Sequence, residues 1–91
     1  MPGSANDIDE LEKALPGVTD NAQSLGEIEA WIGAQPCVKS VQLAGYVLKS
    51  NPPQRDFIIE CGSKDGTVIK KILNVYVLGT QKFQFNSMRD Q

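Results

Sequence analysis

The 91-residue chain contains no histidine. That absence removes the usual general base beside a serine, cysteine or threonine nucleophile. It also removes the commonest zinc ligand. Only two cysteines occur, Cys37 and Cys61, too far apart for a C-x-x-C pair. Two sulfurs alone do not complete a four-ligand zinc site. No apolar run approaches the ~18 residues needed to cross a bilayer. No internal repeat and no low-complexity segment is visible, and Met1-Pro2-Gly3-Ser4 is followed by acids, without the pattern of a secretory or transit peptide. These absences exclude several functions and name none.

What is present is ordinary for one globular domain: 41% hydrophobic and 22% charged residues. Area scaling predicts roughly 5,200 Å² of folded surface, with about 64% of the extended chain's surface buried. A core of that size implies a stability of roughly 5–9 kcal/mol. The expected organisation is a loose tip over residues 1–5, one domain over 6–86 and a frayed end over 87–91. The net charge of −2 hides a split. Residues 1–34 carry seven acids and one base, whereas residues 35–91 carry eight bases and four acids. Acidic helices lying on a basic sheet would account for this, and so would an acidic arm beside a nucleic-acid surface. The acidic isoelectric point, near 4.9, gives no general attraction to phosphate backbones.

Two helices are predicted. Asn6 caps the first, over residues 7–15, with Ile8, Leu11 and Leu15 on one face. Asp7, Asp9 and Glu10 fall in its first turn, where the helix dipole favours negative charge. Pro16-Gly17 stops it. The second opens on the capping box Ser24-Leu25-Gly26-Glu27, carries the stripe Leu25, Ile28, Trp31 and Ile32, and ends at Gly33 and Pro36. Trp31 reads as a helix–sheet packing residue.

Four strands follow, over 38–49, 56–61, 67–78 and 81–86. The first presents Val41, Leu43 and Val47 on one side and Val38, Ala44, Tyr46 and Leu48 on the other, so Gly45 is a candidate bulge. The second alternates, with Phe57, Ile59 and Cys61 inward and Asp56 and Glu60 outward. The third places Ile69, Leu73, Val75 and Val77 on one face. Ser50-Asn51-Pro52-Pro53-Gln54 and Gly62-Ser63-Lys64-Asp65-Gly66 are loops, and Gly79-Thr80 fits a two-residue type II′ turn. The connections are too short for parallel crossovers. The expected fold is therefore α+β, two N-terminal helices packed on a four-stranded antiparallel meander in two layers.

A hairpin centred on Pro52-Pro53 places Cys61 opposite Ala44, about 20 Å along the strand from Cys37. That separation forbids a disulfide. The expectation is free thiols, and with them a cytoplasmic location.

Four constellations carry chemistry, and each has a plainer structural reading. Cys61 at a strand end is a candidate nucleophile, and equally a small core residue. Asp7-Ile8-Asp9-Glu10-Leu11-Glu12 lacks the glycine and the final glutamate of a calcium loop, and reads as a solvated helix face. Gly62, Lys64 and Gly66 lack the spacing and the following helix of a phosphate loop. Tyr46, Phe57, Tyr76, Phe83 and Phe85 interleave with Lys39, Lys49, Lys70, Lys71 and Lys82, a pattern that can stack single-stranded bases on an open sheet, or be core.

Gln42-Leu43-Ala44-Gly45 resembles the first hairpin loop of the cystatins, which also place a helix before an antiparallel meander. That family has three residues between the glutamine and the glycine, where this chain has two. The helix here is shorter, and no Pro-Trp pair follows. The resemblance covers four residues and implies protease inhibition as a lesser alternative.

The leading reading is a non-enzymatic protein-binding or regulatory module without cofactor or metal, a homodimer formed through its sheet. One helical layer covers one side of a sheet. Val68, Ile72, Tyr76 and Leu78 are left on the other side, and Phe83 and Phe85 at an edge strand, as the candidate interface. Single-stranded nucleic-acid binding is the alternative, and a cysteine-dependent enzyme or a cystatin-like inhibitor comes after it. A membrane partner is not expected.

Overall fold

The computed structural model describes residues 4–91. Two helices, α1 (Ile8–Asn21) and α2 (Leu25–Gly33), precede β1 (Val38–Leu43), β2 (Gln54–Gly62), β3 (Val68–Gly79) and β4 (Lys82–Asp90). The strands form one antiparallel sheet in the order β1-β2-β3-β4. Both helices contribute to one core with a single face of that sheet, so the fold is the two-layer α+β meander. The accessible surface is 5209 Å².

The helices start where their caps dictate. The Asp7 carboxylate, not Asn6, accepts the Glu10 amide at 2.9 Å, while the Glu10 carboxylate accepts the Asn6 amide at 2.8 Å. The cap is thus Asp7, one residue later than the expected Asn6. In α2 the Ser24 hydroxyl accepts the Glu27 amide at 3.0 Å, and Glu27 reaches back to the Gln23 amide at 2.9 Å.

Pro16 does not end α1, which runs six residues past the expected Leu15. Proline inside a helix costs about 3 kcal/mol. The apolar face offsets it, because Ile8, Leu11, Leu15 and Val18 keep helical spacing across the proline and are all buried. The Thr19 hydroxyl donates to the Leu15 and Pro16 carbonyls, in the turn that follows the ring.

Phe57, Ile59, Cys61, Leu73 and Val75 have no exposed surface and meet Leu11, Leu15, Ile28 and Ile32 from the helices. Trp31 packs against this core, half-buried. The first strand is half the expected length. It ends at Leu43, and residues 44–53 form a loop containing a cis Asn51–Pro52 bond. The bulge lies between Val38 and Ser40 rather than at Gly45, and it turns Val38, Val41 and Leu43 all toward the core.

The shortened strand changes the hairpin register. Cys61 pairs with Val38, not Ala44, and the Gly62 amide donates to the Cys37 carbonyl at 2.8 Å. Cys37 and Cys61 are consequently joined by a disulfide, with Cα atoms 5.0 Å apart. The expectation of free thiols is overturned. It assumed that the ladder continued to Lys49, whereas Pro52, Pro53 and the anchored residues 44–48 keep the hairpin from closing that tightly.

Three boundaries also differ. Of the loose tip expected over residues 1–5, residues 1–3 lie outside the described residues, and Ala5 is buried, with its amide donating to Gln35 Oε1 at 2.7 Å. The end expected to fray, 87–91, instead pairs as far as Asp90, because the β-bulge at Asn86 resets the register and turns Met88 inward. The tight turn sits at Thr80-Gln81, with Gly79 paired to Lys82. Gly79 does not take the positive φ of a type II′ turn, whereas Gly66 does adopt φ +88° in the β2–β3 loop.

Candidate functional site

Along β3 the side chains alternate, and every second residue faces away from the helices. Val68, Ile72, Tyr76 and Leu78 share that open face, as the sequence pattern requires. Val68 is 50% and Leu78 42% exposed, and Ile72 and Tyr76 are half-buried. Ile58 joins them, because it pairs with Ile72 across β2 and β3. Phe83 and Phe85 do not. Phe83 is buried in the core, and Phe85 packs against the same core from β4. They pair with Val77 and Val75, which face the helices.

The middle of the open face is polar, which the sequence reading missed. Asp56, expected outward, does point away from the helices, yet it is only 1% exposed. Asn74 Nδ2 donates to Asp56 Oδ1 at 2.8 Å, and the Tyr46 hydroxyl donates to Asp56 Oδ2 at 2.9 Å. Asn86 Nδ2 extends the chain to Asn74 Oδ1 at 2.8 Å, and Arg89 Nη2 stands 3.5 Å from Asp56 Oδ2. A buried carboxylate with several donors satisfies its lone pairs. Its hydrogen bond holds the Tyr46 hydroxyl above the ordinary tyrosine value of 10.0. The signal was available in principle: Asp56, Asn74 and Asn86 interrupt apolar strands at positions that the register brings together.

This network anchors the 44–53 loop over the sheet. The Ala44 amide donates to the Asp56 carbonyl at 2.9 Å, and Arg55 Nη2 donates to the Ala44 carbonyl at 3.3 Å. Arg55 Nε is buried with no hydrogen-bond partner. Leu48 and Gln54 exchange both backbone hydrogen bonds, at 2.9 and 3.0 Å. Tyr46, Val47 and Leu48 are left exposed beside the end of β3. The cystatin-like residues divide here: Gln42 and Leu43 end β1, while Ala44, buried, and Gly45 begin the loop.

One amide on each edge of the sheet is capped by a helix acid. Asp20 of α1 accepts the Phe85 amide on β4 at 3.1 Å, and Glu29 of α2 accepts the Leu43 amide on β1 at 3.2 Å. A carboxylate on an edge amide blocks strand addition at that point. One further acid, Glu12, reaches Lys71 at 3.3 Å, and Lys71 also pairs with Asp90 at 2.8 Å. Asp90 first, then Glu12, raises the lysine above its usual value against the effect of burial. Of these three helix acids only Glu12 meets a basic side chain of the sheet; Asp20 and Glu29 bind backbone amides.

The other constellations resolve structurally. The Cys61 sulfur is bonded to Cys37 and is not a free thiolate. In the 62–66 loop, Asp65 accepts from Ser63 and from the hydroxyl and amide of Thr67, which lowers its carboxyl to about 2. That is an ordered turn, not a phosphate cradle. Asp9, Glu12, Lys13 and Lys64 line a shallow groove in which two acids oppose two bases. Among the described residues no cluster of metal ligands occurs, and no helix is long and apolar enough to cross a membrane. No family model, curated protein or solved structure matches the chain.

Proposed function

We propose that the domain is a non-enzymatic protein-binding module whose partner is a second copy of itself, docked through the open face of the sheet. The observation that carries this reading is the placement of Val68, Ile72, Tyr76, Leu78 and Ile58 opposite both helices, while helix acids cap amides on both sheet edges. A partner that adds a strand meets a carboxylate at either edge. A partner that lies flat meets apolar side chains. A two-fold axis through such a face lets each apolar stripe cover the other.

Nucleic-acid binding ranks second. Phe57, Phe83 and Phe85 lie in or against the core, so only Tyr46 and Tyr76 of the five interleaved aromatics remain as stacking surfaces beside the lysines.

Sedimentation equilibrium at micromolar concentration tests the proposal. The expected result is a species of twice the 9.9 kDa chain mass. Tyr76→Lys, which places a charge in the stripe, should dissociate it. A wild-type species of 9.9 kDa throughout would overturn the reading. A dimer that survives Tyr76→Lys but not changes in residues 82–86 would move the contact to the β4 edge.

A further inference from the structure

We propose that the Cys37–Cys61 disulfide is formed in an oxidising compartment and clamps the edge strand β1, together with the arm at Ala5 that precedes α1, to the centre of the sheet. This proposal replaces the cytoplasmic expectation and does not depend on the self-association reading.

Three observations meet at the disulfide. The Cα separation of 5.0 Å lies inside the range that a disulfide bridges without backbone movement. It is set independently by the ladder, in which Val38 pairs with Cys61 and Gly62 donates to the Cys37 carbonyl. The strand that it ties down is the shortest in the sheet: β1 has six residues, one neighbouring strand and a bulge. It is followed by a ten-residue loop, 44–53, attached through few backbone hydrogen bonds. The disulfide also lies where the arm docks. The Cys37 amide donates to the Ala5 carbonyl at 3.4 Å, and the Ala5 amide donates to Gln35, whose own side chain donates to the Trp31 carbonyl at 2.7 Å. One covalent bond therefore fixes the end of α2, the start of β1 and the arm against β2.

Forming the bond removes two electrons and two protons from the two thiols. A cellular disulfide donor accepts them and leaves as two thiols. Such donors predominate in secretory, periplasmic and extracellular spaces, whereas cytosolic systems return thiols to the reduced state. Both sulfurs belong to buried residues, 5% and 0% exposed, so exchange requires β1 to open first.

The test has two arms. Source cells are quenched in acid and the protein is alkylated unfolded, with and without prior reduction. The expected masses show no adduct without reductant and two adducts after it. Two adducts without reductant would overturn the assignment to an oxidising compartment. Separately, hydrogen exchange of the purified oxidised protein is compared with that of the Cys37→Ser/Cys61→Ser variant. Amides of β1 and residues 5–7 should exchange at least about tenfold faster in the variant, while the amides of β3 keep most of their protection. Equal exchange in β1 would overturn the clamp. If the variant does not fold, the reduced wild-type protein supplies the comparison through its urea midpoint. A shift to lower urea of about 2 M is expected, and an unchanged midpoint would overturn the clamp.

Discussion

The two faces of one sheet follow different rules here. The face under the helices buries Phe57, Ile59, Leu73 and Val75 completely, against Leu11, Leu15, Ile28 and Ile32. The other face buries a carboxylate and an amide, Asp56 and Asn74, between half-exposed apolar residues. Burial on the first face is driven by area removed from water. Burial on the second is made tolerable by hydrogen bonds, and it holds a loop in place. An alternating strand therefore does not have one wet side and one dry side. Its second side can be dry at the centre and still leave an apolar surface around it.

The largest test of this contrast compares core with open face. Phe57→Ala should cost about 3–5 kcal/mol of unfolding free energy, through lost transfer energy and a cavity. Ile72→Ala should cost about 1 kcal/mol or less in the monomer. Urea denaturation at low protein concentration measures both, and equal losses would abolish the distinction between the faces.

Asp56→Ala comes next, at about 2–3 kcal/mol, because the buried Asn74 amide loses its acceptor and the Tyr46 hydroxyl loses its own at the surface. Tyr46→Phe removes one donor and leaves the carboxylate partnered, so about 1 kcal/mol or less is expected. A loss as small for Asp56→Ala would mean that water reaches the network.

Ser24→Ala should lower stability by about 1 kcal/mol, since the Glu27 amide loses its acceptor. An unchanged denaturation midpoint would contradict the cap.

The smallest effect is a pH dependence. The Asp65 carboxyl falls from 3.8 to about 2 on folding, through its bonds from Ser63 and Thr67. A folded value below the unfolded one stabilises the protein above pH 3.8, and that contribution fades as pH falls toward 2. Asp65→Asn should therefore remove a small stabilisation that is complete at neutral pH, flatten the acid limb between those values and leave stability near pH 2 unchanged. The carboxylate is solvent-exposed, so screening keeps the effect small.

Local signals were legible and non-local ones were not. Ser24 and Glu27 fix the start of α2 within four residues, and Phe57, Ile59 and Cys61 fix the inner face of β2. Pro16 misleads because its cost is local, while the burial of Val18 and Ala22 that outweighs it is tertiary. The disulfide was hidden because it depends on register. Ending β1 at Leu43 instead of Lys49 moves the partner of Cys61 from Ala44 to Val38. The same shift, with the β-bulges, brings Tyr46 onto Asp56 and Asn86 onto Asn74, so the polar centre of the open face was hidden with it. Within the candidate interface, Val68, Ile72, Tyr76 and Leu78 were legible from period two alone. Phe83 and Phe85 needed their pairing with Val77 and Val75 to place them under the helices.

The most direct test of the open face as a contact surface is methyl NMR with a soluble paramagnetic probe, recorded across a dilution series. The methyl groups of Ile59 and Leu73 should be shielded at every concentration, as core residues. Those of Ile72, Val68 and Leu78 should be broadened by the probe in dilute protein and become shielded as concentration rises. Methyl groups of Ile72, Val68 and Leu78 that stay equally accessible from the lowest to the highest concentration would contradict self-association through this face.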